Sequence, residues 1–296
     1  MKIDGVFSGG GVKAFVFIGA LEAFEEKNLQ FERVGGTSAG ALLATFIAAG
    51  YKAKEMKELF LDLPLEFFLD QSKWSSMFPF LKWLTLYHTM GFYRGNNFEN
   101  WLYQKLSEKG ITSFADLPSA TLKIVAADIT YNRIIVFPDD LKKYYHIEPD
   151  YFPVATAVRS SISIPYFFRP SKLINPRTRQ RSFVVDGMIL SNFPLWIFDH
   201  NNKKRERPLL GMQLTDPKEY YHNKEMRNSI DMLRAVLGTM RKAYDTKYVS
   251  ESIAKDILFF PVDDISPIDF SLSLEKKEAL IDFGYHRTKK FLKKWP

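Results

Sequence analysis

Near the start of the chain lies the stretch IDGVFSGGGVK, Ile3–Lys13. Its first five residues predict a short buried strand, the consecutive glycines Gly9–Gly11 a tight turn, and the apolar spacing over Val12–Lys27 a helix. A strand around Phe31–Gly35 and a helix over Ser38–Ala49 repeat this order. Such alternation predicts an α/β fold, in which helices cover both faces of a mostly parallel sheet.

The same alternation continues through the rest of the chain. Further helices are predicted over Lys52–Leu63, Asn97–Lys109, Pro153–Ser160, Lys224–Ser250 and Glu275–Lys294, and further strands over Leu122–Ala127, Arg133–Phe137, Phe183–Val185, Leu209–Leu214 and Ile257–Val262. No repeat, low-complexity tract or linker interrupts the pattern. We therefore expect one domain over residues 1–296, with its motifs in residues 1–200 and completing strands and C-terminal helices in 201–296.

Composition excludes several classes of protein. Hydrophobic residues make up 46% of the chain and charged residues 25%, which indicates a folded globular protein. The net charge of +7 favours an anionic partner such as a phospholipid surface, but the charge is dispersed and no nucleic-acid-binding motif is present, so no nucleic acid is expected. The absence of cysteine excludes disulfides and thiolate metal sites. No signal-peptide pattern and no long apolar run occurs, and we expect a cytoplasmic protein.

The sequence Gly36-Thr37-Ser38-Ala39-Gly40 fits the Gly-x-Ser-x-Gly pattern of a nucleophile elbow. In such an elbow a sharp strand-to-helix turn presents the serine, and the flanking glycines allow close backbone approach. Ser38 would lie at a helix N-terminus, where the amide of Ala39 is a candidate donor to an oxyanion. A glycine-rich turn with a capping serine is the structural alternative.

The glycine loop Gly9–Lys13 admits three interpretations. Its successive amides could cradle an anion ahead of a helix. Alternatively, Gly9-x-Gly11-x-x-Ala14 fits a dinucleotide-binding fingerprint, which requires an acid at the end of the second strand. Glu32 has about that spacing, but it precedes the strand end, where the elbow stands. Tight strand–helix packing is the third interpretation, and the nearby elbow favours an oxyanion-binding loop.

Asp186 is the best candidate for the group that activates the serine. It follows a β-rich run and precedes Gly187, so it ends a strand, and the carboxyl ends of parallel strands are where ligands bind. A carboxylate there could accept the proton of the serine hydroxyl. The alternatives are an ordinary Asp-Gly turn and, among the five histidines, His286 on the predicted C-terminal helix.

These residues resemble the patatin-like phospholipases, also called patatin-like lipid acyl hydrolases. The resemblance covers about the first 200 residues and rests on motifs in family order: Ser8–Ala14, Gly36–Gly40, Ala155–Pro165, Asp186–Met188 and Asn192–Pro194, with Gly91–Gly95 and Ala127–Ile129 as further landmarks. It implies a three-layer α/β/α sandwich and calcium-independent hydrolysis of lipid acyl esters, with no cofactor and no metal.

Matched by position, the resemblance implies a role for each motif residue. Ser38 would be the nucleophile, Asp186 the general base, and the amides of Gly10 and Gly11 the oxyanion hole. The supporting residues would be Gly9, Lys13, Gly36, Gly40 and Gly187. The chain departs from the family pattern at Ala14, where glycine is usual, and at Met188, where glycine or alanine is usual.

The expected partner is a lipid or phospholipid substrate, met through transient contact with a membrane surface. The aromatic stretch Trp74–Leu84 could form an amphipathic cap over the acyl site, or an ordinary buried subdomain. The cationic stretch Arg287–Pro296 could touch anionic lipid, or form a solvated helix end. The alternative functions are a catalytically weak lipid-binding protein and a dinucleotide-binding oxidoreductase.

Overall fold

The structure is a computed structural model that describes residues 1–70, 86–198, 206–215, 255–262 and 265–295, together with the single residues 232, 235, 238 and 239. The stretch Trp74–Leu84 lies outside the described residues. So does most of the predicted helix Lys224–Ser250, of which the four single residues are helical.

The described residues form a mixed α/β fold. Its strands are β1 (Lys2–Phe7), β2 (Gln30–Thr37), β3 (Gly91–Tyr93), β4 (Leu122–Asp128), β5 (Arg133–Phe137), β6 (Tyr166–Phe168), β7 (Ser171–Ile174), β8 (Arg181–Asp186), β9 (Leu209–Thr215) and β10 (Ile257–Pro261). Its helices are α1 (Phe15–Glu26), α2 (Ala39–Ala48), α3 (Ala53–Asp62), α4 (Asn96–Ser107), α5 (Asp139–Tyr145), α6 (Val154–Ser161) and α7 (Leu274–Leu292).

The central sheet is mostly parallel, as the alternation predicts. Its strand order is β10-β9-β1-β2-β4-β8-β7, and β5 also pairs with β4. The first five strands of this order run parallel, whereas β5 and β8 run antiparallel to β4 and β7 runs antiparallel to β8. A separate small sheet joins β3 to β6 in parallel.

Alternating side chains of β1 give the sheet an apolar core on each face. Phe7 belongs to a large cluster that includes the apolar residues of α1 and α2, and Val6 belongs to a smaller one that includes Phe193 and the 3-10 turn Leu195–Phe198. Because successive strand residues point to opposite faces, both faces of β1 are buried. The sheet is therefore covered on two sides.

Strands β2 and β8 meet end to end along one edge of β4. Thr37, the last residue of β2, is paired with Val125, and Asp186, the last residue of β8, is paired with Ala126. Since β2 is parallel and β8 antiparallel to β4, their carboxyl ends converge. Asp186 thus reaches the end of β2 from an antiparallel strand, not from the parallel set that we expected.

Most predicted elements lie within a few residues of the observed ones. The helix predicted from Val12 begins instead with a 3-10 turn over Gly11–Ala14, and α1 follows from Phe15. Helix α5 and the short strands β3, β6 and β7 carry no clear periodicity and are not predicted. Within the described ranges, no helix is both long and apolar enough to cross a bilayer.

Candidate active site

Ser38 occupies the sharp turn between β2 and α2. Its backbone dihedrals are φ 55° and ψ −127°, a conformation that residues with a Cβ rarely adopt and that costs about 1–3 kcal/mol. Glycine at position 40 makes the turn possible, because a Cβ there would lie 2.3 Å from the carbonyl oxygen of Phe7. The strand-to-helix geometry of a nucleophile elbow is present.

The backbone of Ser38 is held by a second serine. Its amide donates a hydrogen bond of 2.8 Å to Oγ of Ser161, whose hydroxyl donates one of 2.6 Å to the carbonyl oxygen of Val125. Both serines are buried. Ser161 lies within the family motif Ala155–Pro165, and that motif is the sequence feature that points to it. The sequence alone assigns Ser161 no role.

The hydroxyl of Ser38 donates a 2.7 Å hydrogen bond to Oδ2 of Asp186. The other carboxylate oxygen, Oδ1, accepts the amide of Met188 at 2.9 Å, and the amide of Asp186 donates to the carbonyl oxygen of Ser163 at 2.9 Å. Asp186 has no exposed surface, and only 4% of Ser38 is exposed. The bond to Oδ1 and the bond of the backbone amide therefore hold Asp186 with Oδ2 towards the serine hydroxyl.

His286 is not part of this arrangement. Its Nε2 lies 3.2 Å from Oδ1 of Asp282, one turn earlier on α7, and both side chains are about 70% exposed. The pair is a surface contact of that helix.

The glycine loop beside Ser38 is held by residues distant in sequence. The amide of Gly9 donates to the carbonyl oxygen of Asn192 at 3.0 Å, and Nδ2 of Asn192 donates back to the carbonyl oxygen of Gly9 at 3.3 Å. The buried Nζ of Lys13 donates to the carbonyl oxygen of Val262 at 2.8 Å. Lys13 thus anchors the loop to the end of β10.

Three amides near the serine hydroxyl are candidates for binding an oxyanion. No hydrogen bond between described residues uses the amides of Gly10, Gly11 or Ala39. Gly11 has φ +56°, and a Cβ there would lie 1.9 Å from the carbonyl oxygen of Pro267, so only glycine fits. Gly11 and Ala39 line the same cavity as Ser38, whereas Gly10 is absent from the described lining and packs against Leu214.

An apolar cavity of about 120 Å³ ends at the serine. Among the described residues that line it, Ser38 carries the one polar side chain, and the others are aliphatic, aromatic, glycine or proline, such as Leu42, Phe60, Phe168 and Phe270. A cavity of this composition favours a hydrocarbon chain over a polar group. A bound chain would place its polar end at the serine.

The two departures from the family pattern leave the site's contacts in place. Ala14 lines the cavity, where its methyl group adds apolar surface. Met188 supplies its backbone amide to Asp186, an interaction that any residue other than proline could make. Gly187 packs against the carbonyl oxygen of Val125, and Gly36 against that of Phe7.

A dinucleotide site would require an acidic residue at the carboxyl end of β2 to bind the ribose, and none lies there. Glu32 lies early in β2 and pairs at 2.9 Å with Lys2 on the surface. The carboxyl end of that strand carries Ser38 instead.

The chain belongs to the patatin-like phospholipase family. The family model for patatin-like phospholipases matches residues 5–199, a span that contains both the serine turn and the aspartate. This membership places the protein among lipid acyl hydrolases.

Two relatives match over nearly their whole length. YqhO of Bacillus subtilis (strain 168) is 44% identical over 295 residues, which is 100% of this chain and 99% of that protein. R571 of Acanthamoeba polyphaga mimivirus is 23% identical over 299 residues, which covers 95% of this chain and 91% of that protein.

Solved structures share the fold at low sequence identity. VipD from Legionella pneumophila superposes with a TM-score of 0.59 and 16% identity over 99% of this chain and 67% of VipD. ExoU from the type III secretion system of Pseudomonas aeruginosa, solved with SpcU, superposes with a TM-score of 0.53 and 18% identity over 99% of this chain. The chain spans about half of ExoU, 52%.

Proposed function

We propose that the protein hydrolyses acyl esters of phospholipids or lysophospholipids with a serine–aspartate dyad and without a metal ion. One observation carries the proposal: the hydrogen bond of 2.7 Å from the hydroxyl of Ser38 to Asp186 at the end of an apolar cavity. A hydroxyl bonded to a carboxylate is the arrangement that general-base activation of a nucleophile requires.

The reaction would proceed through an acyl-enzyme in two steps. In the first, Oγ of Ser38 attacks the ester carbonyl while Asp186 accepts its proton and passes it to the departing alcohol. In the second, a water molecule gives a proton to the same carboxylate and attacks the acyl-enzyme. As the bond to Oγ breaks, Asp186 returns that proton to Oγ, which releases the fatty acid and restores the serine. The bonds that hold Asp186 through Oδ1 leave Oδ2 in place for both transfers.

The negative charge on the carbonyl oxygen would be stabilised by backbone amides. Gly11 and Ala39 flank the serine in the cavity lining, and the adjacent Gly10 belongs to the same loop. Each preorganised donor of this kind contributes about 3–4 kcal/mol to transition-state stabilisation. The contacts of Asn192 and Lys13 with the loop and the turn after it would keep these amides in position before substrate arrives.

Exposed aromatic side chains near the cavity support an encounter with a lipid surface. Phe67 is 50% exposed between two residues that line the cavity, Leu65 and Phe68, and Tyr166 is 55% exposed in the same strand as Phe168. Tyrosine partitions to membrane interfaces because its ring is apolar and its hydroxyl is polar, and an exposed phenylalanine adds apolar surface that can enter the interface. We therefore propose that the protein binds its substrate by peripheral contact with a membrane surface.

The test compares four proteins in the presence of EDTA: wild type, Ser38→Ala, Asp186→Asn and His286→Ala. The substrates are a short chromogenic ester and a fluorogenic phospholipid. We expect both dyad variants to lose activity by about four orders of magnitude, because removing one member of a catalytic unit removes its function, and His286→Ala to match wild type. Activity retained in Asp186→Asn, or lost in His286→Ala, would overturn the dyad. Activity that requires a divalent cation would overturn the metal-independent reaction.

A further inference from the structure

A second cavity, of about 380 Å³, lies next to the apolar one. Phe98 and Phe168 line the apolar cavity, and their sequence neighbours Glu99 and Arg169 line the second. The two cavities therefore share a wall made by the N-terminal turn of α4 and the end of β6.

The lining of the second cavity is rich in cations. Among the described residues it includes Arg94, Arg169 and Lys172, and it also includes His88. Arg94 and Lys172 are exposed, and Arg169 is half-buried. Burial and, next, the positive charge of the nearby Arg94 lower the pKa of Arg169, whereas the charge of Asp70 acts in the opposite direction. Like charges held together in this way favour an anion between them.

Carboxylates near the cavity are already engaged. Glu99 lines the cavity but accepts a 2.5 Å hydrogen bond from the hydroxyl of Thr156. The Asp70 carboxylate accepts the backbone amides of the first turn of α4, at residues 95, 96 and 97, over 2.6–3.3 Å. Asp70 therefore caps a helix, and no ion pair between described residues joins either acid to the cations of the cavity.

A buried arginine at the base of the cavity adds a further positive charge. Arg159 is 4% exposed, and its guanidinium donates to the carbonyl oxygens of Gly95, Arg94 and Arg169 and to the hydroxyl of Ser163. All four acceptors are uncharged. Burial lowers the pKa of Arg159 to about 10, so the group remains charged at neutral pH. Its bonds also fix the backbone of the two arginines that line the cavity.

Arg169 retains an unused donor. Its Nε is buried and has no hydrogen-bond partner among the described residues. An arginine offers Nε and one Nη together as a fork that matches two oxygens of a phosphate group. The Nε is shielded from solvent in this conformation, so engaging a ligand requires the side chain to rotate into the cavity.

We propose that this cavity binds the phosphate group of an anionic ligand through Arg94, Arg169 and Lys172. The described lining of the cavity contains several cations and one carboxylate, which is already hydrogen-bonded. Such a site favours a multiply charged oxyanion over a monocarboxylate. The phosphate can belong to a lipid head group at a membrane or to a soluble phosphate ester. The proposal does not depend on the chemistry of Ser38.

The first experiment measures binding of inorganic phosphate by isothermal titration calorimetry at constant ionic strength. We expect saturable binding to the wild-type protein and a loss of about tenfold in affinity in Arg169→Gln, because a charge-assisted fork is removed. Arg177→Gln is the matched control, since it removes the same charge from an exposed side chain that follows β7, away from the cavity. Lys172→Gln, at an exposed side chain, is a second test that does not disturb the buried part of the cavity.

The second experiment identifies the source of the phosphate. Flotation with phosphatidylcholine vesicles, with and without phosphatidic acid, is measured for the same proteins. Binding that requires phosphatidic acid and falls in Arg169→Gln and Lys172→Gln assigns a lipid head group. Phosphate binding that falls in these variants while vesicle binding does not assigns a soluble phosphate ester.

The proposal is overturned if the wild-type protein shows no saturable binding of either phosphate or phosphatidic acid. Equal losses in Arg177→Gln and in the cavity variants would also overturn it, because they would show a general charge effect. Ser38→Ala keeps phosphate binding if the proposal is right, whatever that variant does to ester hydrolysis. The two proposals therefore fail separately.

Discussion

Replacement of Ser161 by alanine tests whether the strained turn at Ser38 needs a dedicated support. The hydroxyl of Ser161 accepts the amide of Ser38 at 2.8 Å and donates to the carbonyl oxygen of Val125 at 2.6 Å. The substitution removes one oxygen atom and leaves both partners buried. The hydroxyl of Ser38 and the side chain of Asp186 are unchanged.

The expected loss of stability is about 2–4 kcal/mol, because two hydrogen bonds are lost and a buried backbone amide is left unsatisfied. A further effect on catalysis is expected. The conformation of Ser38 is unfavourable by about 1–3 kcal/mol and persists only while its surroundings hold it. If the turn relaxes, Oγ of Ser38 moves away from Asp186, and under the proposed mechanism we expect kcat to fall by about 10- to 100-fold.

The adjacent Ser160 provides a matched control. It is also buried on α6, and its hydroxyl contacts the carbonyl oxygen of Thr156 and the hydroxyl of Ser171, neither of which touches the nucleophile. Ser160→Ala is expected to lose about 1 kcal/mol of stability and to keep the wild-type kcat. Denaturant unfolding gives the first quantity for both variants, and steady-state hydrolysis of a soluble ester gives the second.

Two results would refute this reasoning. Wild-type kcat in folded Ser161→Ala would show that the turn needs no support from that hydroxyl. Equal losses of kcat in Ser160→Ala would show that any cavity in α6 disturbs the site.

Three further predictions follow from contacts in or near the site. Gly11→Ala should lower kcat for ester hydrolysis by about 10²–10³-fold, because its Cβ would lie 1.9 Å from the carbonyl oxygen of Pro267 and displace the loop; unchanged hydrolysis would remove that loop from the mechanism. Leu42→Phe reduces the apolar cavity and should lower kcat/KM for long-chain esters by about tenfold while short-chain esters are spared, as a chain-length series would reveal. Burial, and then the hydrogen bond to Asp128, raise the pKa of Tyr145 above its ordinary value of 10.0. The unfolded chain therefore ionises first, and wild-type stability should fall as pH rises above about 10. In unfolding experiments across alkaline pH this fall should be smaller in Tyr145→Phe, which should also lose about 1 kcal/mol at neutral pH.

The order of elements was predictable because local signals in this chain agree with the fold. The apolar spacing that follows the glycines indicates α1, and Gly36–Gly40 marks the turn from β2 to α2. Family motifs then made Ser38 and Asp186 candidates before their contact was known. Their hydrogen bond across 148 positions of sequence is a tertiary fact that no local pattern contains.

Other features depend on long-range pairing and could not be predicted. The direction of β8 is set by its pairing with β4 and β7, so its sequence, RSFVVD, carries no sign that it is antiparallel. Ser161 has the same residue type and burial as Ser160, and only its tertiary contacts with Ser38 and Val125 distinguish the two. The cationic cavity brings Arg94 together with Arg169 and Lys172, which lie much later in the sequence, so no local charge pattern reveals it.

The head-on meeting of β2 and β8 has a consequence for how activity arises during folding. A chain that has formed β1, β2 and β4 but not β8 would hold the turn at Ser38 without its carboxylate partner, since Asp186 is placed by the pairing of β8 with Ala126. If Asp186 is the base, as proposed, such an intermediate would be inactive even though most of the parallel sheet is present. During refolding, activity should therefore not return before β8 has paired with β4.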